Sequence, residues 1–162
     1  MTPFRLGLLV ALPLLVLDQV TKYWVLDFLD WGLAGRVTVT PFFDLVLVWN
    51  YGISYGLFQQ DGVWGPRVLV AIAAAATAGF GYWLLKTPSK FVAAALGLLI
   101  SGAVGNGIDR AIHGAVIDFV SLHAYGFYWY VFNVADAAIV AGVALLVYDM
   151  ITERRNVDEN AD

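Results

Sequence analysis

Four long apolar stretches are separated by polar or aromatic connections: about Leu6 to Leu26, Val68 to Leu85, Phe91 to Ile108 and Val134 to Ile151. At about 1.5 Å of rise per residue, each comes close to covering a hydrocarbon core of about 30 Å. The pattern predicts four transmembrane helices over 6–26, 68–85, 91–108 and 134–151, with connections over 27–67 and 109–133 and a polar tail over 152–162. Residues 1–162 read as a single polytopic membrane domain. The first stretch follows Arg5 as a signal peptide would, but no small-residue cleavage site follows it, and Asp18-Gln19-Val20-Thr21-Lys22 lies inside it. It is read as a retained helix.

The two longer connections carry their own pattern. Val37-Thr38-Val39-Thr40 alternates as a strand does, Phe42 to Trp49 is β-branched and aromatic enough to pair with it, and Pro41 suits the bend between them. Tyr125 to Tyr130 is almost wholly aromatic, as expected of an interfacial belt. Basic residues orient the whole: Arg5, Lys86 with Lys90, and Arg154-Arg155 share one side only if there are four spans with both termini in the cytoplasm. The longer connections then face outward.

Composition narrows the chemistry. Of 162 residues, 60% are hydrophobic and 14% charged, and the mean hydropathy is +0.74, which excludes the ordinary soluble classes. With no cysteine, disulfides, thiol nucleophiles and thiolate metal clusters are excluded. His113 and His123 are too few and too far apart for a metal site, and no cofactor is expected. A net charge of −4 without a basic stripe argues against nucleic acid.

In so apolar a chain, the polar residues near helix ends are the informative ones. Asp18 and Lys22 are one turn apart and suit an ion pair at the outer interface, with Lys22 reaching outward; a contact to a substrate headgroup is the functional alternative. Asn50-x-Gly52 suits a tight turn. In Gly105-Asn106-Gly107-Ile108-Asp109-Arg110 the small residues allow close helix packing, Asn106 is placed to bond across to another helix, and Asp109 with Arg110 suits a local charge pair. Asn133 and Asp136 have the spacing of a capping box. Asp118 is flanked by apolar residues, so burial would favour its protonated form, whereas a helix N-terminus would favour ionised Asp136. Two carboxyls so divided can perform acid–base hydrolysis, one activating water while the other polarises a carbonyl. Spacing alone leaves a proton or ion pathway equally open.

Taken together and in order, Asp18-Gln19…Lys22, Asn50-x-Gly52…Gly56, Gly105-Asn106-x-Ile108-Asp109-Arg110, Val116-x-Asp118-Phe119 and Phe132-Asn133-x-Ala135-Asp136 resemble the lipoprotein signal peptidase (signal peptidase II) family over nearly the whole chain. The resemblance implies an aspartic endopeptidase of the bacterial inner membrane, with four transmembrane helices and a small extracytoplasmic β-cradle. It implies substrates that are diacylglyceryl-modified prolipoproteins, cleaved N-terminal to the lipid-bearing lipobox Cys. Asp118 and Asp136 match the family's catalytic pair, and Asn50, Gly52, Asn106, Arg110, Asn133 and Ala135 match the surround that shapes its site. Membrane lipid and a globomycin-type inhibitor are the further partners implied. Ile53, Ser54, Tyr55, Gly107 and Ala137 depart from the commoner family residues and bear on substrate fit.

Two rival readings use the same residues. A proton-coupled transporter or channel subunit would take Asp18, Asp109, Asp118 and Asp136 as relay sites spread through the membrane depth. A scaffold held by glycine-rich contacts would leave two acids in apolar surroundings without a purpose.

Overall fold

In the computed structural model, which describes residues 1–30, 36–52 and 64–159, the four apolar stretches are helices: α1 Pro3–Asp30, α2 Trp64–Lys86, α3 Lys90–His113 and α4 Val134–Glu159. Each carries a window long and apolar enough to cross a membrane. They extend past the apolar runs because flanking polar residues continue the same backbone, and the tail remains helical through Glu159. Ile53 to Gly56, with the rest of 53–63, residues 31–35, and the side chains of Arg154 and Arg155 lie outside the described residues.

The bundle is built around α3, which packs against α1, α2 and α4 and is mostly buried. Its neighbours turn Leu9, Leu12, Val16, Val68, Ile72 and Val140 outward, as lipid-facing helices do. Among lipid tails apolar burial gives little drive, so close packing and polar contacts must hold the helices together. Gly105 serves both. A Cβ there would collide with the Asp18 carboxylate and meet the Ala135 side chain at 3.4 Å, so only glycine lets α1 and α4 close on α3 at this level. Ser89 starts α3 by accepting the Val92 N–H at 3.2 Å, and Gly114 ends it in the left-handed conformation (φ 75°), with its N–H on the Arg110 carbonyl.

The outer connections form one antiparallel sheet in the order β1-β2-β3-β4: Arg36–Thr40, Phe43–Asn50, Val116–Ala124 and Phe127–Tyr128. Pro41 lies at the bend between the first two strands, whose register pairs Thr38 with Asp44. Because β3 leaves the C-terminal end of α3 after two residues, the sheet sits at that end of the bundle. Ile117 and Phe119 pack with Val25 and Leu29 of α1 in a buried cluster, pinning the sheet to the bundle. A bridge between Val120 and Phe132 then brings the start of α4 alongside β3. That bridge sets Asn133 beside Asp118.

Candidate active site

Asp118 comes from the sheet and Asp136 from the first turn of α4. Asn133 touches both. Its side-chain N–H donates to Asp118 Oδ1 at 2.6 Å, and its backbone N–H donates to Asp136 Oδ2 at 3.3 Å. Its Oδ1 accepts the Asp136 N–H at 2.9 Å, so the capping box forms as expected from the spacing and also aims the carboxyl. Asn50 Nδ2 donates to Asp118 Oδ2 at 3.0 Å and to the Tyr130 hydroxyl at 2.6 Å. Asn50 is itself oriented by the Gly52 N–H on its Oδ1, at 3.1 Å. Asn106 Nδ2 donates to Asp136 Oδ1 at 2.8 Å. The donors that hold this pair are the neutral amides of Asn50, Asn106 and Asn133.

Asp118 is 1% exposed, and its carboxyl is pushed up to about 7, first by burial and then by repulsion from Asp136. The amide donors of Asn50 and Asn133, and the charge of Lys22, pull the other way without overcoming it. Two carboxyls interacting this strongly titrate as a pair.

A second cluster lies one layer deeper. Lys22 Nζ is 2.9 Å from Asp18 Oδ2, 2.8 Å from Asp109 Oδ2 and 3.0 Å from Asn106 Oδ1, and the lysine is 1% exposed. The expected Asp18–Lys22 pair is present, but Lys22 does not reach outward. A third partner on α3 draws it into the bundle. The expected Asp109–Arg110 pair is absent, because adjacent helical residues project about 100° apart. Asp109 accepts from Lys22 and from the Ile117 N–H at 3.2 Å, whereas Arg110 donates to the Gly52 carbonyl at 2.9 Å and the Asn106 carbonyl at 3.3 Å. Arg110 thus ties the turn after β2 to α3. Ala135 contributes its backbone, donating its N–H to Asp18 Oδ1 at 2.8 Å.

All ten residues singled out from the sequence therefore belong to one continuous network at the sheet end of the bundle. Three members were not singled out. Gln19 links Asp18, the Gly105 carbonyl and Asp109 through one amide, at 3.1–3.3 Å. Its position between two polar helix residues was the available signal. Asp109 is read above only as a partner of Arg110 or a relay acid. Tyr130 stands in an aromatic run that gives no reason to single out one hydroxyl.

Two cavities flank Asp136. One, of about 440 Å³, is walled by Trp129, Tyr130, Phe132, Val140 and Ala144. The other, of about 240 Å³, meets Asn50, Asn106, Arg110 and Tyr130. Among the described residues no group of three or more His, Asp or Glu side chains is spaced to hold a metal ion.

The fold and this site define a multi-pass membrane protein with a paired-carboxyl centre at one end of its bundle. The family model described as signal peptidase (SPase) II matches residues 10–152. A lipoprotein signal peptidase of Methylobacterium radiotolerans is 53% identical over 94% of this chain and 89% of that one; one of Nitrobacter hamburgensis is 50% identical over 92% and 93%. A solved bacterial membrane enzyme, determined by the in meso method at 2.3 Å, superposes with a TM-score of 0.81 at 27% identity over 93% of this chain and 90% of that one. The chain belongs to the signal peptidase II family.

Proposed function

We propose that this protein removes signal peptides from diacylglyceryl-modified prolipoproteins, cutting N-terminal to the lipid-bearing Cys by aspartic chemistry at Asp118 and Asp136. The observation that carries the reading is Asn133, one residue that bonds both carboxyls and holds them together, with no cation in contact among the described residues. An Asp118 carboxyl near 7 keeps a proton available at neutral pH, while its partner serves as the base. In hydrolysis the base takes a proton from water, the water oxygen attacks the scissile carbonyl carbon, and the protonated carboxyl donates towards the carbonyl oxygen. Collapse breaks the C–N bond, and the amine leaves with a proton returned from the pair.

The cavities on either side of Asp136 support a lipid-bearing substrate. The larger one has an apolar wall suited to an acyl chain, and the smaller one offers Asn50, Asn106 and Arg110 to a peptide backbone. The same clefts are the place for a globomycin-type inhibitor and for membrane lipid to dock. Asn50, Gly52, Asn106, Arg110, Asn133, Ala135, Asp18 and Lys22 shape the site rather than react. Arg110 stays charged and holds a carbonyl, so it is unsuited to proton transfer. The chain works as one polytopic domain with both termini in the cytoplasm and the site at the periplasmic face of the inner membrane. Arg5, Lys86 and Lys90 support that orientation, together with the sheet at the opposite end from the α2–α3 turn.

The transporter reading needs acids spread through the membrane depth. Here Asp18, Asp109, Asp118 and Asp136 belong to one hydrogen-bonded network, which favours local chemistry over a relay. The test is incubation of the purified protein in detergent with a diacylglyceryl-modified prolipoprotein. Mass spectrometry should find a product beginning at the lipidated Cys. An intact substrate in the presence of folded protein, across several such substrates, overturns the reading.

A further inference from the structure

Lys22 has three N–H donors and three acceptors within hydrogen-bond distance, at 2.8–3.0 Å, and one of those acceptors leads to the carboxyl pair. An ammonium cannot accept a hydrogen bond. Whatever amide atom of Asn106 faces Lys22 must therefore be the oxygen, and the Asn106 NH2 is forced towards Asp136, where it donates to Oδ1 at 2.8 Å. The Asn106 oxygen also accepts from Asn133 Nδ2 at 3.2 Å. That turns the Asn133 NH2 inward, onto Asp118 Oδ1, and leaves its oxygen for the Asp136 N–H. The cation and the cap of α4 thus agree on one facing for the two amides.

We propose that Lys22 is a positioning residue for the Asp118–Asp136 pair: its donor-only ammonium, locked between Asp18 and Asp109, acts with the Asn133 NH2 to hold the Asn106 oxygen and so aim the Asn106 NH2 at Asp136, and it sets a positive charge behind the pair. This rests on the reading of Asp118 and Asp136 as the reacting pair. Asn133 has a second anchor in the helix cap, and Asn50 has one in the Gly52 N–H. Asn106 is held on its oxygen by two donors, Lys22 Nζ at 3.0 Å and Asn133 Nδ2 at 3.2 Å. Without Lys22 its oxygen keeps only the longer, uncharged contact from Asn133, and a turned-over amide would set that oxygen against the Asp136 carboxyl and its NH2 against the Asn133 NH2. The inverted amide fits only if the proton on the pair moves. Lys22 therefore acts on the chemistry through geometry and charge without touching the substrate.

The charged groups around Lys22 define the sign of the test. Asp18 on α1 and Asp109 on α3 face it directly; beyond Asn106 lie Asp136 on α4, Asp118 on β3 and Arg110 on α3. Lys22→Met removes a positive charge and the donor. Asp109→Asn removes a negative charge and keeps the Lys22 donor. The two variants should therefore displace the pair in opposite directions.

Two readouts are taken on folded protein in detergent: steady-state cleavage across pH, and the infrared titration of the Asp118 carboxyl, assigned by its loss in Asp118→Asn. Lys22→Met is expected to lower kcat on the order of 100-fold, as a mis-set reacting group does, with KM nearly unchanged. Its pH profile and its carboxyl titration should move up by roughly one unit. Asp109→Asn should retain most of the cleavage and move both readouts down. If Lys22 only stabilises the fold, both variants lose Tm, kcat falls only with the folded fraction, and neither readout moves; that result overturns the proposal. Opposite infrared shifts in a protein that cleaves no prolipoprotein would uphold the positioning role and reject the peptidase reading.

Discussion

Two clusters of paired carboxyls lie within one network, and they differ in what holds them. Asp18 and Asp109 share the ammonium of Lys22, whereas Asp118 and Asp136 are held by the neutral amides of Asn50, Asn106 and Asn133, with no ion pair among the described residues. Burial does not account for the difference, since Asp118 is as buried as Asp18 and Asp109, all 1–2% exposed, and only Asp136 is half-buried. The nature of the contact does. A carboxylate paired with a buried cation is held in its charged form and is structurally committed. Amide donors orient a carboxyl while leaving its proton exchangeable, which is the condition acid–base chemistry needs. The lesson is that burial and acidity alone do not tell two carboxyl pairs apart; what holds each pair does.

The strongest way to break the comparison is to exchange the roles of the two clusters. Asp118→Asn or Asp136→Asn should cut cleavage by at least roughly 10²–10⁴-fold, the range of lost acid–base catalysis, with the protein still folded and inserted. Asp109→Asn should not approach that loss in the same assay. Next in size, Asn133→Ala removes the donor to Asp118 and the cap of α4 at once. Its kcat should fall about 100-fold, and loss of the cap should cost about 0.5–2 kcal/mol, read as a lower Tm. Gly105→Ala acts on the other cluster. The new Cβ displaces the Asp18 carboxylate, so Tm should fall by the equivalent of about 1–3 kcal/mol of overpacking, with a smaller effect on kcat in the molecules that remain folded.

The smallest effect sits in the sheet, where a third kind of carboxyl offers a control. Asp44 is held below the usual carboxylate range, first by the Thr38 hydroxyl opposite it, then by His123 and Arg36, against the cost of its burial. A depressed carboxyl stabilises the fold above its ordinary pKa and loses that contribution as pH falls through the lowered value. Asp44→Asn should therefore lower Tm slightly at neutral pH, with the two curves converging in acid. Asp118 has the opposite sign. Raised to about 7, it lowers the stability of the fold as pH climbs from about 4 to 7, so Asp118→Asn should gain Tm over the wild type above neutrality. A protein with less stability and more activity than its isosteric variant at the same residue would mark a site kept for chemistry.

Much of this was legible in the chain because it is local. Apolar runs of membrane-spanning length marked the four helices, alternation marked β1 and β2, and the three-residue spacing of Asn133 and Asp136 marked a cap that is present at 2.9 Å. The i,i+4 spacing of Asp18 and Lys22 marked their ion pair. What failed to read was direction. Lys22 turns inward because Asp109, far along the chain, meets it there, and no period within α1 encodes what α3 presents. The Asp109–Arg110 pairing failed because neighbours in sequence diverge around a helix, sending one side chain to Lys22 and the other to Gly52. Tyr130 was unreadable for the same reason, and the polar neighbours of Gln19 marked it without naming its partner: Asn50 and Asp109 lie across the fold from them.

The contrast between the two clusters is tested most directly by infrared titration of the carboxyl groups in purified protein between pH 5 and 9. A protonated-carboxyl C=O band with a midpoint of about 7, lost in Asp118→Asn and retained in Asp109→Asn, is the predicted result. A band that survives in Asp118→Asn, or no titrating carboxyl in that range, would contradict it.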